Sequence, residues 1–140
     1  MENIYQSIQG NIGLGKAIEY FTSYGISVAI PLNDTQKYDL IADFNGGLQR
    51  VSVKTSRFSH NKKSYEVALK NSGGSSGKGI IRKFDNASCD YLFIYTANND
   101  MYLIPCRDII TKTTISVGEK YTEYIVHSKT LKDFKEEVEC

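Results

Sequence analysis

The stretch Tyr38-Asp39-Leu40-Ile41-Ala42-Asp43-Phe44-Asn45-Gly46-Gly47-Leu48-Gln49-Arg50-Val51-Ser52-Val53-Lys54-Thr55 reads as two strands joined by a tight turn. Before the turn, Tyr38, Leu40 and Ala42 alternate with Asp39, Ile41 and Asp43. After it, Val51 and Val53 alternate with Arg50, Ser52 and Lys54. A period of two is the mark of a strand with two unlike faces. Asn45-Gly46-Gly47 offers residues that accept positive φ, as a hairpin turn requires. Folding back about that turn brings Asp39, in the middle of one strand, near Lys54 at the end of the next. Ser52 lies two residues before Lys54 and so shares its face. A carboxylate, a hydroxyl and a lysine converging at a sheet edge suit metal-assisted phosphodiester hydrolysis. The carboxylate would hold Mg²⁺, which prefers oxygen ligands. The metal would polarise the phosphate and acidify a bound water. The lysine would offset charge building on the phosphoryl oxygens or help to deprotonate the water. The same side chains also suit an ordinary cross-strand ion pair, worth under about 1 kcal/mol. Spacing alone leaves both roles open.

Working outward, Leu14, Ala17, Ile18 and Phe21 recur at helical spacing, which predicts an amphipathic helix over 14–24. Asn11 is placed to cap its start and Gly25 to end it. Ile26 to Ile30 is a β-branched run stopped by Pro31, a short strand. Beyond the hairpin, strands are expected over 65–70, 91–95, 101–104 and 122–127. A short helix is expected over 80–88 and a terminal helix over 130–138. The stretch 71–79 is rich in Gly and Ser and reads as a flexible linker or a DNA-contacting loop. It misses the phosphate-binding loop pattern, because Gly79 stands where Ser or Thr is needed. Tyr121, Tyr124 and Ile125 read as core rather than interface.

The chain of 140 residues, 41% hydrophobic and 24% charged, has the size and composition of one domain with one core. No apolar run is long enough to span a membrane, and the N-terminal residues lack the basic start of a secretory signal. Cys89, Cys106 and Cys140 are an odd, widely spaced set that suits a reducing, cytoplasmic setting better than a disulfide framework. No cysteine pair has zinc-finger spacing. The net charge of +1 is unevenly distributed. Residues 50–83 hold Arg50, Lys54, Arg57, Lys62, Lys63, Lys70, Lys78, Arg82 and Lys83 against Glu66 alone, while both flanks are net acidic. Such a segment is either a solvated basic loop or the footprint of a phosphate-backbone binder. On the second reading, Arg50, Arg57, Lys62, Lys63, Lys78, Arg82 and Lys83 would touch DNA.

The order of these features carries a resemblance. A Gly-bearing helix start is followed by a helix, Gly25, a strand, Pro31 and Tyr38-Asp39-Leu40. The hairpin, Arg50-Val51-Ser52-Val53-Lys54-Thr55, Asp90-Tyr91 opening a strand, and Tyr102-Leu103-Ile104-Pro105 follow. Over about two-thirds of the chain this resembles the PD-(D/E)XK nuclease superfamily, most closely the small group I intron-encoded homing endonucleases of cyanobacterial type. It is more distantly similar to archaeal Holliday-junction resolvases. The resemblance implies an α/β (α+β) fold, with a restriction-endonuclease-like αβββαβ core over about 10–105. Its mixed central sheet would be flanked by helices, and residues 106–140 would form a strand-and-helix extension. It implies that Asp39 binds the metal and that Lys54 is the catalytic lysine, with the Val53 backbone carbonyl as a further ligand. Ser52 falls where relatives carry Asp, Glu or Gln, and Leu14 where many carry a helix-borne glutamate. Glu19 is displaced around the helix from Leu14 by about 140° and does not replace that carboxylate.

Two functions follow as expectations. One is a nuclease-fold protein that binds nucleic acid with cleavage impaired or lost. The other is an active Mg²⁺-dependent DNA endonuclease of homing or junction type. A catalytically inert, protein-binding regulator of phage or mobile-element origin is a further alternative. The partners implied are DNA and at least one more copy of the chain, since cutting both strands with one site per chain requires a homo-oligomer.

Overall fold

The structure is a computed structural model that describes residues 2–33, 35–59, 61, 63–69, 71, 72, 81, 82 and 84–134. Helix α1 spans Glu2–Ser23, and β1 is Val28–Ala29. The hairpin strands are β2 (Leu40–Phe44) and β3 (Gly47–Ser56). Then come β4 (Tyr65–Ala68), β5 (Asn71–Ser72) and β6 (Ile81–Arg82). β7 (Tyr91–Thr96) and β8 (Met101–Pro105) precede a 3-10 turn at Cys106–Asp108. β9 (Thr114–Val117), a second 3-10 turn (Thr122–Tyr124) and β10 (Ile125–Val126) follow. A helical turn over 131–134 closes the described chain.

Six strands form one sheet in the order β1-β2-β3-β7-β8-β10. All neighbours are antiparallel except β3 and β7, which run parallel with Val51 opposite Tyr91 and Ser56 opposite Thr96. This is the mixed sheet expected, and its two faces bury separate clusters. On one face Ala17 and Phe21 of α1 pack on Leu40, Ala42, Val51, Phe93 and Met101. On the other, Leu92, Ile94, Tyr102 and Ile104 meet Val67, Ile115 and Val117 of the antiparallel β4–β9 pair. Phe21 and Phe93 are fully buried. Each stabilises the fold by about 1.5–3 kcal/mol relative to exposure.

The hairpin forms as read. Phe44 pairs with Gly47 across Asn45 (φ 43°) and Gly46 (φ 95°), the two positive angles that a two-residue turn of matching twist needs. Gly25 ends α1, with the Ile26 N–H donating to Phe21 O at 2.9 Å. At the end of the described chain, Thr130 Oγ1 accepts from Asp133 N–H, and the Asp133 carboxylate accepts from Thr130 N–H. This reciprocal cap starts the last helical turn. The part of the expected terminal helix beyond Phe134 lies outside the described residues.

Three expectations are corrected. Helix α1 begins at Glu2 rather than Leu14, so Asn11, Gly10, Gly13 and Gly15 are internal. Packing overrides their poor helix propensity. A Cβ at Gly13 would overlap the Thr55 methyl, and Gln9 Nε2 donates to Thr55 Oγ1 at 2.8 Å. Among the described residues of 80–88 no helix forms. Residues 81–82 are strand, and Asp85 makes an Asx turn, its Oδ1 accepting from Ala87 N–H at 2.9 Å. The third concerns the cysteines. Cys89 and Cys106 form a disulfide in the buried core, with Cα atoms 6.4 Å apart, instead of remaining free thiols. Beyond the Tyr91–Pro105 pair of β7–β8, the Cys106 N–H donates to Asp90 O at 3.0 Å, which brings Cys106 beside Asp90's neighbour Cys89.

Gly13→Ala contrasts two effects. Alanine is the better helix former by about 1 kcal/mol. Its methyl meets a β-branched Thr55 whose hydroxyl is already held by Gln9, and such overpacking costs about 1–3 kcal/mol. A net loss of up to about 2 kcal/mol is expected in a urea titration. An increase in stability would show that the helix and β3 yield at this contact.

Candidate functional site

β1 is only two residues long and pairs with Ala42 and Ile41, so it stops short of Asp39. The register places Leu40 opposite Val51, hence Asp39 next to Ser52 at the open corner of the sheet. Leu40, Ala42, Val51 and Val53 face α1. By alternation Asp39, Ser52 and Lys54 share the opposite face. Asp39 is exposed, Lys54 half-buried and Ser52 only 6% exposed.

Asp39 is held from two directions. Its N–H donates to Val51 O at 2.9 Å, and its Oδ2 accepts from Val53 N–H at 2.7 Å. The carboxylate thus replaces a backbone partner of β3, which fixes its position beside the strand that carries Ser52 and Lys54. Leu14 belongs to α1 and packs on the helix-side cluster with Ala17, Phe21 and Val51. Glu19 is exposed. Among the described residues, no group of three or more His, Cys, Asp or Glu stands together.

A magnesium ion usually takes one or two carboxylates and keeps several waters. One oxygen of Asp39 is already committed to Val53. Ser52 offers a buried hydroxyl, a shorter and weaker ligand than a carboxylate. Leu14 offers none. Among the described residues, Asp39 is the carboxylate that this corner offers, at the low end of what Mg²⁺ takes.

The basic candidates divide. Arg50 is engaged: its Nε lies 3.2 Å from Asp90 Oδ2, its N–H donates to the same oxygen at 2.7 Å, and its Nη2 donates to Ala87 O at 3.0 Å. Those hydrogen bonds hold the Asp90 carboxyl below the usual range and raise the Arg50 guanidinium. The pair ties the start of β7 to β3, beside the Cys89–Cys106 bridge. Arg57 and Lys63 are exposed, on the segment that leaves β3 and leads to β4. Lys62, Lys78 and Lys83 lie outside the described residues, as does the side chain of Arg82. Two residues the sequence reading passed over matter here. Asp90 secures Arg50, and its only sequence signal was an acid opening a strand. Gln9 secures Thr55, next to Lys54, and stood in a stretch not read as helix. Tyr121, Tyr124 and Ile125 pack against the core, as expected, and the Tyr124 hydroxyl donates to Asp108 Oδ2 at 2.7 Å.

A mixed sheet with an acid-and-lysine hairpin at its corner and a helix across one face defines the restriction-endonuclease-like class of α/β folds. The family model described as PD-(D/E)XK endonuclease matches residues 5–136, and the chain belongs to that family. A solved bacterial homing endonuclease, I-Ssp6803I, has the same fold, with a TM-score of 0.69 at 23% identity over 92% of this chain and 86% of that one. No curated protein matches the chain. Among the described residues, no helix is long and apolar enough to cross a membrane.

Proposed function

We propose that this protein binds DNA on a PD-(D/E)XK scaffold and that its phosphodiester cleavage is impaired. One observation carries the reading. Asp39 and Lys54 share a face at an open sheet corner, while the two positions that would complete a metal shell hold Ser52 and Leu14. Affinity for DNA is supported by the basic stretch 50–83, part of which leaves the sheet after Ser56, two residues beyond Lys54. We assign backbone contacts to Arg57, Lys62, Lys63, Lys78, Arg82 and Lys83, and leave Arg50 to Asp90. The solved relative is a homing endonuclease, which suggests a duplex site as substrate here, while the resemblance to Holliday-junction resolvases suggests a junction. The protein would act as a homo-oligomer.

A second reading, an active Mg²⁺-dependent endonuclease, draws on the family match across nearly the whole chain and on the retained Lys54. A bound phosphate oxygen would then make up for a missing carboxylate.

The test is a titration of labelled duplex and branched DNA. The natural protein should bind, and an Arg57→Glu/Lys63→Glu variant should bind at least about tenfold more weakly. Undetectable binding by the natural protein to both substrates would remove the proposal and favour a protein-binding regulator.

A further inference from the structure

The connection between β3 and β4 is basic and, for an exposed turn, closely tied. Thr55 to Tyr65 includes Arg57, Lys62 and Lys63 and no acidic residue. Ordering an exposed connection costs conformational entropy, and joining two strands does not require it. Three restraints order this one. At its base, the hydroxyl of the buried Ser56 donates to Glu66 O at 2.7 Å, and Ser59 bridges Tyr65 in antiparallel fashion. At its tip, Asn61 Oδ1 accepts from the Lys63 N–H at 3.0 Å, the Ser64 N–H at 3.0 Å and the Ser64 hydroxyl at 3.2 Å. This is an Asx turn, in which a side chain stands in for a backbone acceptor. On its flank lies Gly118, one place beyond β9. Tyr65 pairs with Val117, so Gly118 comes opposite Ser64. A Cβ at Gly118 would stand 2.2 Å from Lys63 O and 3.1 Å from Ser64 Cα, and its φ is 117°. Glycine alone permits that approach.

The restraints converge on Lys63. Asn61 is exposed, yet its side-chain oxygen is spent inside the turn, on Lys63 and its neighbour. Gly118 presses on the Lys63 carbonyl from the other side. A lysine ammonium is a point charge on a flexible stem, so the placing of its backbone decides which phosphate it meets. A backbone ordered beforehand also spares the ordering cost at the moment of binding. We propose that Asn61 and Gly118 are positioning residues that hold Lys63 in place for a DNA phosphate. The inference rests on the DNA-binding reading above and adds to it the two uncharged residues that set the turn.

The test is a double-mutant cycle on duplex DNA, read by fluorescence anisotropy over a range of salt. Lys63→Ala should weaken binding about fivefold and lower the salt slope by about one. Asn61→Ala should do nearly the same, although it removes no charge, and so should Gly118→Ala. Added to Lys63→Ala, Asn61→Ala should cost no further affinity, because the contact it positions is already gone. Amide hydrogen exchange at Lys63 and Ser64 should quicken in Asn61→Ala without DNA present. The proposal is overturned if Asn61→Ala or Lys63→Ala binds as the natural protein does. It is equally overturned if Asn61→Ala weakens the Lys63→Ala variant as much as it weakens the natural chain, which is the loss a merely structural role would give. The Asn61 arm decides the matter even where Gly118→Ala fails to fold. A natural protein that binds no DNA fails the reading first and the inference with it. A natural protein that binds, with Asn61 and Lys63 acting independently, fails the inference alone.

Discussion

Raising the salt from about 50 to about 200 mM should weaken duplex binding by this protein about 10³-fold. The estimate follows from the charge layout. If about six phosphates are neutralised by the basic stretch, the logarithm of affinity falls with a slope near −5 against the logarithm of salt. The counter-charges elsewhere do not cancel this, because fields are screened beyond about 10 Å at these ionic strengths. Arg50 contributes little, since turning its side chain to DNA would break three hydrogen bonds, two to Asp90 and one to Ala87 O. Arg50→Ala should therefore leave the salt slope nearly unchanged while lowering stability. Arg57→Ala should reduce the slope by about one, equally across DNA sequences, as a backbone contact does. Fluorescence anisotropy at four or five salt concentrations measures both. A flat salt dependence would mean that the basic stretch is a solvated loop.

The second large effect concerns the site. Supplying carboxylates at the two departed positions should create cleavage. Leu14→Glu/Ser52→Glu restores carboxylates at the two positions where relatives carry ligands, one on the face of Asp39 and one on α1. It keeps the Asp39–Val53 hydrogen bond that positions the first ligand. Leu14 is half-buried rather than sealed, so the new glutamate can reach solvent and stay ionised. Ser52 is the costlier change, because only 6% of it is exposed. Some loss of stability, about 1–2 kcal/mol, is expected from the added volume and charge. With carboxylates at both positions the variant should bind Mg²⁺ and nick plasmid DNA at least about 100-fold faster than the natural chain.

Why some of this was legible in the sequence and some was not has a physical answer. The hairpin was readable because its period of two and its Asn-Gly turn are local properties. The common face of Asp39, Ser52 and Lys54 follows from the same period. The end of α1 was readable because Gly25 adopts a conformation that other residues resist (φ 73°). The start of α1 was not. Its N-terminal half buries no core stripe, and the reason its glycines are tolerated lies on β3, some 40 residues away, at Thr55. The 80–88 helix was misread because Asp85 and Ser88 satisfy the backbone locally in a turn. The strand Thr114–Val117 was missed because four residues give no period, and its partner β4 is distant in sequence. The cysteine bridge needs the β7–β8 register before it can be inferred. The fate of Arg50 was hidden for a related reason. A guanidinium suits a phosphate and a carboxylate equally, and only the fold brings Asp90 to it.

The central claim is that Asp39 and Lys54 are the retained part of a nuclease site that Ser52 and Leu14 leave incomplete. Plasmid nicking in Mg²⁺ and in Mn²⁺ tests it most directly, with the natural protein, Leu14→Glu/Ser52→Glu, and that double variant carrying Lys54→Ala as well. The account predicts supercoiled plasmid with the natural protein, nicked circles with the double variant, and loss of nicking when Lys54 is removed. Ready cleavage by the natural protein, abolished by Lys54→Ala alone, would contradict it and show the site complete as it stands.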